Sequence, residues 1–132
     1  MKLASYRDGS RDGQLVVVSR DLKTAHYATG VAHRLQQVLD DWSFLAPQLQ
    51  ELYNALNAGT TRHAFAFDSA QCLAPLPRAY HWCEGQAYPA HAELLQLAGE
   101  LTPQEAASAP LMWQGAGDAL AGPSAELLLS DP

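Results

Sequence analysis

Few side chains in this sequence are suited to chemistry, and most of them fall into no working pattern. Cys72 and Cys83 are the only cysteines. Their spacing matches neither a zinc site nor a CxxC redox motif, so they read as two reduced thiols of a cytoplasmic protein. His26, His33, His63 and His81 show no ligand spacing and are expected to be structural or exposed. The glycine-rich run from Gly115 to Gly122 lacks the Lys and Ser/Thr that a phosphate loop supplies. No Gly-x-Ser-x-Gly elbow occurs, so nucleophilic serine chemistry has no support.

Charge narrows the classes further. All eight Lys and Arg lie within residues 1–78, together with seven of the 14 acidic residues, which leaves that part at +1. Residues 79–132 carry the other seven acids and no cation. A cation-free acidic half repels phosphate backbones, so nucleic acid is not an expected partner. Hydrophobic residues make up 48% of the 132, enough for a core. No run approaches the roughly 20 apolar residues of a membrane span. The opening MKLASYRDGS has no apolar stretch of the secretory kind. The expectation is a soluble, cytoplasmic protein with no membrane partner.

The elements that would position any site begin with strands. Lys2 to Tyr6 and the Val-rich Gln14 to Ser19 read as a hairpin. Asp8-Gly9 and Asp12-Gly13 between them are turn dipeptides, since glycine tolerates positive φ. Ala25 to Ala28 would add a third short strand. Val31, Leu35, Val38, Leu39 and Trp42 recur at helical spacing, with Thr29 or Gly30 at the entrance. A second helix is expected from Ala46 or Pro47 to Leu56, with Pro47 in its first turn and Leu49, Leu52, Tyr53 and Leu56 inward. Gly59 would stop it. His63 to Phe67 alternates like a strand. Pro75 and Pro77 make Leu73 to Arg78 an extended connector. Beyond it, His91 to Ala98 reads as a helix with Leu94, Leu95 and Ala98 inward. Thr102 to Glu105 resembles a capped helix start, and Leu111 to Gln114 and Glu126 to Leu129 read as strands.

Four blocks carry a resemblance: MKLASYRDGSRDGQLVVVSRDL, LQQVLDDWSFLAPQLQELYNALN, CLAPLPRAYHW and PLMWQGAGDALAGP. Together, from Met1 to about Pro123, they resemble bacterial fumarylacetoacetate hydrolase family proteins. The resemblance implies an α+β chain, with a small N-terminal β-sheet and two packed helices over residues 1–73. Residues 74–132 would be the connector and the truncated start of a β-rich catalytic domain. Family enzymes hydrolyse a carbon–carbon bond in a diketo acid, in tyrosine and aromatic catabolism, using Mg²⁺ or Ca²⁺ held by carboxylates.

The resemblance also assigns roles. In the segment Glu84 to His91, His91 stands at the position of the catalytic general base and Glu84 at that of an Asp metal ligand. Imidazole titrates near neutrality and hard dications prefer carboxylate oxygens. Trp113 stands where a family tyrosine helps hold substrate. Ala90 replaces a family Asn, and Gln96 and Ala98 replace basic residues. The family's Glu-x-Glu segment and a later Asp, the other metal ligands, are not among these 132 residues.

One carboxylate cannot cage a dication, so the chain alone is expected to bind no metal and to be inactive. The diketo acid would be a partner only in a full-length enzyme. The alternative is a stand-alone, non-catalytic relative acting as a protein-interaction module. It would self-associate or pair with a full-length family member.

Overall fold

The structure, a computed structural model, describes residues 1–86, 88–99 and 111–126. It divides into two compact units: Met1–Arg78 with Asp118–Pro132, and Ala79–Gly117.

The first unit is built on an antiparallel sheet. Strands β1 (Lys2–Tyr6), β2 (Gln14–Val18), β3 (Thr24–Tyr27) and β4 (Phe65–Ala66) lie in that order across it. The β1–β2 register pairs Leu3 with Val17 and Ser5 with Leu15. Side chains alternate across a strand, so Leu15 and Val17 point to one face and Val16 and Val18 to the other. All four are at most 2% exposed. The unbroken apolar run of β2 therefore belongs to a strand buried on both faces, where a half-buried strand would alternate.

Helices cover the Leu15 and Val17 face. Helix α1 (Leu35–Asp40) supplies Val38, and α2 (Trp42–Asn57) supplies Leu49, Tyr53 and Leu56. The opposite face is closed by Tyr6, Phe65, Phe67 and Cys72, which pack around Val16, Val18 and Ala25. Tyr6 lies 5.6 Å from Phe65 and 6.0 Å from Phe67, centroid to centroid. Such tilted aromatic contacts add to simple burial. The α+β architecture expected of this region is borne out.

Several elements differ from their sequence expectation. The helix expected from Val31 through Trp42 begins only at Leu35 and ends at Asp41, whose backbone (φ −135, ψ 52) leaves the helical region. A straight helix over residues 35–57 would be about 34 Å long, against roughly 17 Å for a five-residue strand. The corner lets both helices cover one small sheet. Asp suits the break, because its side chain favours helix ends over helix interiors.

Leu39 and Trp42, expected inward, are instead 46% and 48% exposed. Pro47, expected in the first turn, lies inside α2, because that helix starts at Trp42. Its missing N–H leaves the carbonyl of Ser43 without its helical donor. The strand expected over His63 to Phe67 shortens to Phe65–Ala66, since His63 has φ +65.

The β1 edge is bordered by the chain after a short 3₁₀ turn at Ser69–Gln71. Arg7 N–H donates to Gln71 O at 2.9 Å, Leu73 N–H to Ser5 O at 2.8 Å, and the Ser5 hydroxyl to Pro75 O at 2.7 Å. The second unit holds β5 (Trp82–Gln86), α3 (Pro89–Leu97) and β6 (Leu111–Gly115), with β5 and β6 antiparallel. Within α3, Leu95 is half-buried, but Leu94 is 66% exposed and Ala98 is also exposed, against expectation. The described part of this unit adds no residue to either packed cluster. The helix start expected at Thr102 to Glu105, and the strand expected at Glu126 to Leu129 beyond its first residue, lie outside the described residues.

Candidate functional site

The β5–β6 ribbon fixes two of the three site residues relative to each other. Its register sets Glu84 directly opposite Trp113. Directly opposed residues of an antiparallel pair share a face, with Cβ atoms about 5 Å apart. Trp82 and Gly115, paired two positions along, share that face too.

The Trp82 indole lies flat against the Gly115 backbone. A Cβ built on Gly115 would fall 1.7 Å from Trp82 Cε2, so glycine serves here as room for a ring. The indole N–H donates to Ala116 O at 3.0 Å, which holds the ring in place. Gln114, paired with Cys83 and so on the other face of the ribbon, has its Nε2 3.1 Å from His81 Nδ1. Glu84 is exposed and Trp113 is 58% exposed, so this face offers a carboxylate beside an indole wall.

His91 sits in the first turn of α3. Pro89 opens that helix, where its missing N–H costs nothing, and His91 N–H donates to Tyr88 O at 3.0 Å. The His91 side chain is exposed, and it shares the unit with Glu84 and Trp113. The donor set does not fit a complete dication site: among the described residues, no group of three or more His, Cys, Asp or Glu could hold a metal. Mg²⁺ and Ca²⁺ take about six or more oxygens, and Glu84 supplies at most two.

The first unit contains a polar assembly that sequence reasoning missed. The Arg34 guanidinium donates to Asp8 Oδ2 and to Ser10 Oγ, each at 3.2 Å, and to the carbonyl of Gly13. Asp8 Oδ1 accepts from the Ser10 amide at 2.8 Å and from the Ser10 hydroxyl at 2.6 Å. These bonds, led by those from Ser10 and followed by the Arg34 contact, hold the Asp8 carboxyl below the usual carboxylate range.

Asp12 is likewise lowered, chiefly by its hydrogen bonds from Arg78, with Nε at 2.6 Å from Oδ1. Gly13 has φ +65, and a Cβ there would lie 2.7 Å from Tyr6 O, so the loop closes tightly only over glycine. Arg34 is placed by the start of α1, where Gln37 Oε1 accepts from the His33 and Arg34 amides at 2.8 and 3.0 Å. The sequence signal was the repeated Arg-Asp-Gly of Arg7 to Gly13, a loop rich in acceptors that needs a cation.

No described helix is long and apolar enough to cross a membrane. The sheet, its two-helix cover and the arginine-tied loop define a small α+β domain. The family described as fumarylacetoacetase N-terminal domain 2 matches residues 1–78, and the chain belongs to that family. The match ends where the first compact unit's leading segment ends, at Arg78. Glu84, His91 and Trp113 lie beyond the matched residues. No curated protein sequence matches the chain.

Proposed function

We propose that this chain supplies the N-terminal domain, and the opening of the catalytic region, of a metal-dependent hydrolase that cleaves a carbon–carbon bond in a diketo acid. The family match over residues 1–78 carries this reading. In it, His91 is the general base on the attacking water, Glu84 is one carboxylate ligand of Mg²⁺ or Ca²⁺, and Trp113 is a wall of the substrate site. The pairing of Glu84 with Trp113 across β5–β6 supports the last two roles. When bound, the cation supplies charge to stabilise the developing enolate. In this reading Glu84 is one corner of an oxygen cage that needs several carboxylates, so the 132 residues are inactive alone and work with carboxylates from elsewhere. A cytoplasmic location belongs to the same reading, and the free thiols of Cys72 and Cys83 suit a reducing compartment.

The test is an absorbance assay of fumarylacetoacetate consumption with added Mg²⁺, beside a calorimetric Mg²⁺ titration. The purified chain should give neither turnover nor saturable binding. Turnover abolished by His91→Ala would overturn the inactivity and keep the base. Saturable Mg²⁺ binding lost in Glu84→Gln would overturn the incomplete site. A full-length protein carrying this sequence that hydrolyses no diketo acid would sink the whole reading.

A further inference from the structure

The corner between α1 and α2 exposes apolar surface where the core has no use for it. Leu39 is 46% exposed, Trp42 48% and Phe44 66%, all within one short stretch of chain. None belongs to either packed cluster, whereas Leu35, Val38, Leu45 and Leu49 around them do. Single exposed apolar residues need no explanation, but three large ones within six residues of chain do.

Charge says what could cover them. Asp40 and Asp41 lie between Leu39 and Trp42, and both are exposed. From residue 35 to residue 61 the chain has three acids, Asp40, Asp41 and Glu51, and no Lys or Arg. A two-fold pairing of identical corners would set these carboxylates against their own copies, because such an interface meets itself. Seating the corner elsewhere on a second copy would be heterologous and build rings or filaments, and residues 79–132 of that copy carry seven acids and no cation. An anionic membrane is repelled for the same reason.

We infer that the α1–α2 corner, through Trp42, Phe44, Leu39 and the Asp40–Asp41 pair, is a docking surface for a basic amphipathic segment of another protein. The indole and phenyl rings supply the apolar anchors, as aromatic residues do at interface centres. The carboxylates steer and orient a Lys- or Arg-bearing face. This inference does not depend on the hydrolase reading.

The probe is a synthetic helical peptide of about 18 residues, five turns, with Leu on one face and Lys on the other. Its partner probe carries Glu for every Lys. Titrated calorimetrically into the intact chain, the Lys peptide should bind and the Glu peptide should not. Trp42→Ala with Phe44→Ala should weaken binding about tenfold or more. Asp40→Asn with Asp41→Asn should weaken it severalfold and flatten its salt dependence. Unchanged far-UV circular dichroism and melting show that each variant is folded; because the side chains are exposed, both should be.

Equal Lys-peptide affinity for the parent and the Trp42/Phe44 variant would overturn the proposal, as general attraction to an acidic protein gives that result. Absence of Lys-peptide binding overturns it too. So does a dimer on a sizing column that the Trp42/Phe44 variant abolishes, or binding to phosphatidylserine vesicles that needs these rings.

Discussion

Arg34 satisfies a loop carboxylate, a serine hydroxyl and the Gly13 carbonyl with one guanidinium. Arg34→Met keeps the stem and removes every donor, so stability should fall by about 1–3 kcal/mol, read from urea denaturation. The pH dependence follows from Asp8. Its folded pKa lies below its unfolded one, so the unfolded chain takes up the proton first as pH falls. The stabilisation is complete above the ordinary carboxylate pKa and is lost as pH drops through the folded value. Denaturation midpoints of the parent should therefore decline on acidification from about pH 5, and Asp8→Asn should show a shallower decline. Gly115→Ala should drive the Trp82 ring off the ribbon and break its bond to Ala116. The expected cost is about 1–3 kcal/mol of local stability, visible as faster amide exchange in Trp82 to Gln86. None of these roles is written in residue type alone. Arg34 meets Asp8 and Gly13, and Gly115 meets Trp82, across sequence distances that only the fold closes.

At the level of elements, β2 makes the sharpest prediction. Because both its faces are buried, Val16→Ala and Val17→Ala should each cost about 2 kcal/mol in chemical denaturation. A strand with one wet face would tolerate one of the two. The Val run was legible as a strand because β-branched residues suit extended backbone, and the α2 stripe of Leu49, Tyr53 and Leu56 was legible from its period. A break between the two helices was expected after Trp42, but its place at Asp41 was not legible. Periodicity continues almost in phase across it, and only the length of the sheet beneath decides where the helix must turn. The interior place of Pro47 follows from that same error, and Leu39 and Trp42 were turned outward by it. In the candidate site, the β6 strand was legible, but its register against β5 was not. Strand pairing over a long connection leaves no local trace.

For the whole molecule, every member of both packed clusters lies between Leu3 and Cys72. Residues 1–78 expressed alone should therefore unfold in one cooperative transition, at a midpoint close to that of the intact chain's first unit. Truncation gives up the Arg11–Asp118 ion pair at 3.1 Å and the Leu120 amide bond to Pro77 O at 2.9 Å, but no member of either packed cluster, and surface pairs contribute little. The borders of the sheet carry one more consequence. The outer side of β1 is occupied near its end by the Gln71–Leu73 run, and β4 presents only two residues. Neither border offers a growing fibril or a swapped arm enough unpaired amide to template on. Concentrated solutions of this domain should resist thioflavin-positive aggregation unless the Ser69–Leu73 strap is first peeled away.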